Sequence, residues 1–106
     1  MLNLTPHTIS IIGPNGPMTF PPSGQLARVS TIDTVTGACP VTGAPIITRT
    51  FGEVTGLPDD GTPCLVSALV LSAVPGRAGV FAPDTGPTAI RVDNGQIQAV
   101  TRLVAA

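Results

Sequence analysis

The sequence predicts a mostly β fold: a small barrel or sandwich of about seven short strands with one short helix, in a single domain spanning residues 1–106. Three observations lead there. Twelve Gly and twelve Pro punctuate segments rich in Val, Ile and Thr, the pattern of a turn-dense β protein. An Asn94-Gly95 pair flanked by alternating residues marks a tight hairpin. Residues 64–74, Cys-Leu-Val-Ser-Ala-Leu-Val-Leu-Ser-Ala-Val, form an uncharged apolar run that is too short to cross a bilayer, which needs about 20 residues, and so reads as a central buried element.

The elements follow in order. In residues 8–12 Ile9 and Ile11 alternate with Thr8 and Ser10, the period of a half-buried strand. The turn cluster at 13–17 leads to a second strand at 18–20, and the two read as a hairpin whose prolines confine the second strand to an edge. The segment 25–36, through residues 26–35, and the segment 44–54, through residues 46–51, are rich in β-branched side chains and read as strands, separated by a loop over 37–45 that holds Cys39. In the apolar run, Leu65 and Val66 read as the end of a buried strand. Ser67 can then cap a short helix over the residues that follow, closed by Pro75-Gly76; a single continuous strand is the competing reading, because periodicity does not separate the two. A short strand is expected at 78–82 and a rigid loop at 83–87. For the last hairpin a two-residue type I′ turn at Asn94-Gly95 predicts Val92 opposite Ile97, Ile90 opposite Ala99 and Arg91 opposite Gln98.

Composition narrows the function classes. Hydrophobic residues make up 42% of the chain and charged residues 10%, against roughly 25% charged in an ordinary soluble domain. So little charge leaves surface for another copy of the chain to cover, and a homo-oligomer is expected. A net charge of −1 with no Lys, Tyr or Trp argues against a nucleic-acid polymer as partner, since phosphate neutralisation and base stacking have no residues to carry them. The absence of a long apolar segment argues against a membrane. The first residues, Met-Leu-Asn-Leu-Thr-Pro, lack the charged start and apolar stretch of a signal peptide. Cytoplasmic residence is therefore expected, with Cys39 and Cys64 as free thiols.

No familiar catalytic set is legible, and no cofactor is implied. A metal site is not expected, because His7, Cys39 and Cys64 have no recognisable ligand spacing. Asp84-Thr85-Gly86 matches the triplet of aspartic proteases. In the retroviral type, however, it lies early, follows an apolar strand and precedes Ala or Ser, whereas here it stands late between Pro83 and Pro87. A turn closed by the Asp84 side chain is the reading preferred. A Gly-rich phosphate loop ending in Lys is impossible without Lys. The five Arg carry the most chemistry. Arg28, Arg49, Arg77 and Arg91 sit among apolar or small residues; half of the Arg are expected to pair with Asp33, Glu53, Asp84 or Asp93. The sharper reading has two or more converging on a small anionic ligand, since guanidinium binds phosphate bidentately.

The segments Asn3-Leu4-Thr5-Pro6-His7, Pro22-Ser23-Gly24, Ala27-Arg28-Val29, Gly56-Leu57-Pro58, Leu65 to Val70, Arg77, Ala82 to Pro87 and Gly95 to Val100 together resemble a family of small, largely uncharacterised proteins of bacteriophages, prophages and some bacteria. Where relatives often carry a Tyr before the Leu-Val-Ser strand and an acidic residue after the Arg, this chain has Cys64 and Ala78-Gly79. The resemblance implies a phage accessory protein. By analogy with small phage proteins that counter host defence, it leads to a non-enzymatic protein that sequesters a phosphate-bearing small molecule, such as a nucleotide messenger of anti-phage defence. The ligand-binding residues expected are Asn3, Thr5 and His7 for sugar or base, Arg28, Arg77 and Arg91 for phosphate, with Asp84 and Thr85. The alternative is a virion structural component or an inhibitor docking on a host protein.

Overall fold

The computed structural model describes all 106 residues, and the chain is mostly β with one short helix. Its strands are β1 (Leu2–Asn3), β2 (Ile9–Gly13), β3 (Gly16–Phe20), β4 (Arg28–Ala38), β5 (Pro45–Thr55), β6 (Cys64–Leu65), β7 (Val80–Pro83), β8 (Ile90–Arg91), β9 (Ile97–Ala99) and β10 (Leu103–Ala105), and its helix is α1 (Ala68–Ala73). No barrel closes. The strands divide into one four-stranded sheet in the order β1-β6-β7-β10 and three two-stranded ribbons, β2-β3, β4-β5 and β8-β9. The cause lies in strand length: β1, β6 and β8 have only two residues each, too few to carry a continuous ladder around a barrel.

The apolar run is the centre of the body, as a strand feeding a helix. β6 lies parallel to β1 on one side and to β7 on the other, and α1 makes the crossover that a parallel pair requires. Ser67 has extended backbone and its Oγ accepts the Val70 N–H at 3.3 Å, which caps the helix. Cys64, Leu65 and Val66 are fully buried, and Leu4, Val70 and Val80 pack around Cys64 and Val66. Burial pushes the Cys64 thiol above its ordinary pKa. Cys39 and Cys64 are both free thiols, and no helix is long and apolar enough to cross a membrane.

The strands number ten where about seven are expected, and three expectations of detail need correction. The strand expected over 78–82 begins at Val80, because Gly79 adopts φ +77°, where a Cβ would come within 2.9 Å of the Gly61 carbonyl oxygen. The last hairpin forms and Ile90 does face Ala99, but Arg91 faces Ile97 across a bulge instead of facing Gln98. Its turn is not type I′, which needs positive φ at both central residues. Here only Gly95 has it, at +85°. Gly95 N–H and the Asn94 side chain close the turn onto Val92 and Gln96, so the loop takes one more residue. The apolar side expected for this ribbon is also half open: Ala99 is buried, whereas Ile90, Val92 and Ile97 remain exposed.

The β4-β5 ribbon stands apart from the body. Each strand has 11 residues, so the ribbon is about 36 Å long at the usual strand rise. Only its base is anchored: Val29 and Val54 pack on the core. The molecule measures 51 × 39 × 24 Å with a radius of gyration of 16.5 Å, whereas a compact chain of this length has about 13 Å. The ribbon is an arm.

Candidate functional site

The eight residues expected to bind ligand do not form one site. Asn3 and Thr5 are buried and their polar atoms are used internally. Asn3 Nδ2 donates to the carbonyls of His7 at 2.7 Å and Phe20 at 2.9 Å, and its Oδ1 accepts from the Thr5 N–H at 3.0 Å and from Thr5 Oγ1 at 2.7 Å. This network ties the end of β1 to the β2-β3 hairpin. The Asn-Leu-Thr-Pro-His segment is thus a folding device, and of its three polar side chains only that of His7 is exposed.

The guanidinium groups are dispersed. Arg77 donates to the Pro58 carbonyl at 3.1 Å. Arg91 donates to the carbonyls of Gly95 at 2.9 Å and Thr85 at 2.8 Å, joining the loop after β7 to the last hairpin. Arg49 grips Asp33 with Nε at 2.8 Å and Nη2 at 3.2 Å. Arg102 grips Asp84 Oδ2 at 2.7 and 3.0 Å, a pairing the sequence reading missed. Arg28 pairs with Thr55 in the ladder, and neither ion pair of the chain, Arg49–Asp33 or Arg102–Asp84, involves its guanidinium. The convergence of Arg77 and Arg91 on one anion is not seen, because each is committed to a carbonyl of its own neighbourhood.

Asp84-Thr85-Gly86 is a turn. Asp84 Oδ1 accepts the Gly86 N–H at 3.0 Å, and that bond, with Arg102 after it, holds the Asp84 carboxyl below the usual carboxylate range.

Two clefts open on either side of Ser67. One, of about 510 Å³, has Thr5, His7, Ser67, Thr85 and Gln98 in its walls over Val66, Ala99 and Val100. The other, of about 520 Å³, lies where α1 meets the base of the arm and is lined by Arg28, Glu53, Ser67, Leu69 and Val70. The first gathers three of the expected residues, Thr5, His7 and Thr85, but no Arg. No group of three or more His, Cys, Asp or Glu side chains is placed to hold a metal ion.

No known protein family, curated protein or solved structure matches this chain.

The arm is the feature that sequence reasoning missed as a surface. Along β4 the residues Thr31, Asp33 and Val35 share a face, and they pair with Phe51, Arg49 and Ile47 of β5. A register shift between Val29, which packs on the core, and Thr31 separates the base of the ribbon from this face. Beyond it the ribbon runs outward from the body. There Val35 is 66% exposed, Ile47 44% and Phe51 41%, and Val41 at the tip is 89% exposed.

Proposed function

We propose that this protein is a non-enzymatic member of a protein assembly, acting through its arm as a virion component or a protein-docking factor of the phage and prophage type it resembles, within the bacterial host cell. The arm supports this reading. An isolated two-stranded ribbon is marginally stable in water, and clustered exposed apolar side chains on such a projection signal a protein contact. The poverty of charge over the whole chain agrees with a surface made to be covered.

A second reading is sequestration of a phosphate-bearing small molecule, such as a nucleotide messenger. The cleft with Thr5, His7 and Thr85 in its walls favours it, as does Arg28, whose guanidinium is free and lies in the neighbouring cleft across Ser67. The phosphate would then fall to Arg28, with hydroxyl and imidazole groups left for sugar or base.

Native mass spectrometry of the protein purified from a phage-challenged bacterial lysate, followed by denaturation, separates the two. The expected spectrum is that of an assembly releasing no small molecule. A nucleotide released on denaturation, and lost in Arg28→Ala, would replace the first reading by the second.

A further inference from the structure

We infer that the arm's partner is a second copy of this chain joined edge to edge, β4 of one copy antiparallel to β4 of the other about a two-fold axis that passes through Ile32 perpendicular to the ribbon. This rests on the assembly reading above.

A two-stranded ribbon has two open edges, each a row of unpaired backbone groups. On β4 the Ile32 carbonyl points into the ribbon, where Thr50 Oγ1 donates to it at 3.5 Å. The alternation of an antiparallel ladder then turns the N–H and C=O of Val29, Thr31, Asp33 and Val35 outward, and no bond outside the ribbon takes them up. Both ends of this stretch are closed. At the base the Ala27 N–H donates to the Leu4 carbonyl at 3.1 Å, so the body occupies the edge there. Toward the tip the register shifts between Val35 and Gly37, and a bulge at Thr36 bends the strand away. The other register shift puts its extra residue on β5, since Val29 and Thr31 face Val54 and Phe51, and β4 itself stays regular. The free edge therefore runs over residues 28–36, and its midpoint is Ile32.

The side chains along this edge match their own reverse. Turned about Ile32, the strand sets Thr31 opposite Asp33 of the second copy, Ser30 opposite Thr34 and Val29 opposite Val35, with Ile32 against Ile32 at the axis. Hydroxyl meets carboxylate, hydroxyl meets hydroxyl and apolar meets apolar, pairs that stabilise an antiparallel ladder. An isologous contact needs this self-complementarity. Neighbouring registers lack it. An axis at Asp33 opposes two carboxylates, and an axis at Thr31 sets Asp33 against Val29 and Val35 against Ala27, whose N–H is taken. The β5 edge offers no equivalent: Pro45 has no N–H to give, and axes at Thr48, Arg49 or Thr50 place Arg49 opposite Ile47, itself or Phe51.

Pairing turns two ribbons into one four-stranded sheet with the bodies at opposite ends, and a sheet needs three or more strands to be stable on its own. It also covers Ile32, which is 60% exposed in the single chain. The shared edge is about 30 Å long and about 10 Å deep. That is about 300 Å² per partner against the roughly 800 Å² of a stable interface, so the dimer is a reversible one.

The test uses the full-length chain. Sedimentation velocity over a concentration series is expected to show a monomer–dimer equilibrium. In a Cys39→Ser background, Ile32→Cys is expected to form a disulfide-linked dimer under mild oxidation, because the axis brings the two side chains within disulfide reach. Thr34→Cys, on the same side of the strand, leaves its two thiols about 13 Å apart or more and is expected to run as a monomer on a non-reducing gel. Thr31→Pro removes an outward N–H, spares the bonds between β4 and β5, and is expected to weaken the dimer about tenfold or more. Circular dichroism checks that each variant is folded. A wild type that is monomeric at every concentration, a Thr34→Cys chain that cross-links as readily as Ile32→Cys, or a Thr31→Pro dimer of undiminished affinity would overturn the edge pairing. If the wild type is monomeric yet enters phage particles through Val35 and Ile47, the pairing fails and the assembly reading stands; if Val35→Asp and Ile47→Asp alter neither self-association nor entry, both fail.

Discussion

At the scale of single residues, the polar side chains of this protein serve mainly to hold its own loops. Asn3 is 2% exposed, and its amide satisfies two carbonyls while its oxygen accepts two donors. Removing it leaves several buried polar groups without partners, each costly in isolation. Asn3→Ala is expected to lower stability by about 2–4 kcal/mol in denaturant unfolding. A second prediction concerns acid. Hydrogen bonds hold three carboxyls below their ordinary values: Asp33 through Arg49, Asp60 through the Thr62 hydroxyl, and Asp84 through Gly86 N–H and then Arg102. A carboxyl more acidic in the folded chain stabilises it above the unfolded value, and that contribution disappears as pH falls through the folded one. Unfolding free energy is therefore expected to be flat above pH about 5 and to decline below about 4. Asp84→Asn, which keeps an acceptor for Gly86 and loses the charge facing Arg102, is expected to make the decline shallower in a pH series of urea melts.

At the scale of elements, local signals were legible and distant partners were not. A strand, a Ser67 cap and a helix over 64–74 was one of two readings that the spacing allowed, and the structure takes it because Ser67 Oγ accepts the Val70 N–H. The β2-β3 hairpin follows from its turn cluster. The short strands β1, of two residues, and β10, of three, carry no such signal; they exist only because β6 and β7 offer them edges. The pairing of Arg102 with Asp84 is likewise set by β10 lying against β7, where the Asp84 N–H donates to the Arg102 carbonyl. Among the expected site residues, the reading erred by treating exposed-looking polar types as free for ligand. Asn3 and Thr5 are buried, and Arg77 and Arg91 have carbonyl partners that sequence does not display. The two strands of the arm could be read from their β-branched runs, but not that they extend through Ala38 and from Pro45, nor their isolation from the body. Gly56 shows how its exit is fixed: φ is +89°, and a Cβ there would collide with the Leu26 carbonyl. Gly56→Ala is expected to cost about 1–3 kcal/mol and to loosen the arm, seen as faster amide exchange in β4 and β5.

At the scale of the whole molecule, only 12 of 106 residues are buried, so the body alone offers a small core to offset the entropy of ordering the chain. The arm adds 22 strand residues while burying almost none of them. On the assembly reading proposed above, the missing burial comes from association, and whatever binds only the folded form raises its stability by mass action. The melting temperature is therefore expected to rise with protein concentration in scanning calorimetry. The double variant Val35→Asp, Ile47→Asp, which keeps the body and strips the apolar ends from the arm face, is expected to melt lower and at a temperature independent of concentration. A wild-type melting temperature that does not move with concentration would mean that the body carries the fold unaided, and the exposed arm would then need a partner other than itself. A rise that survives in the double variant would place the self-contact elsewhere than at Val35.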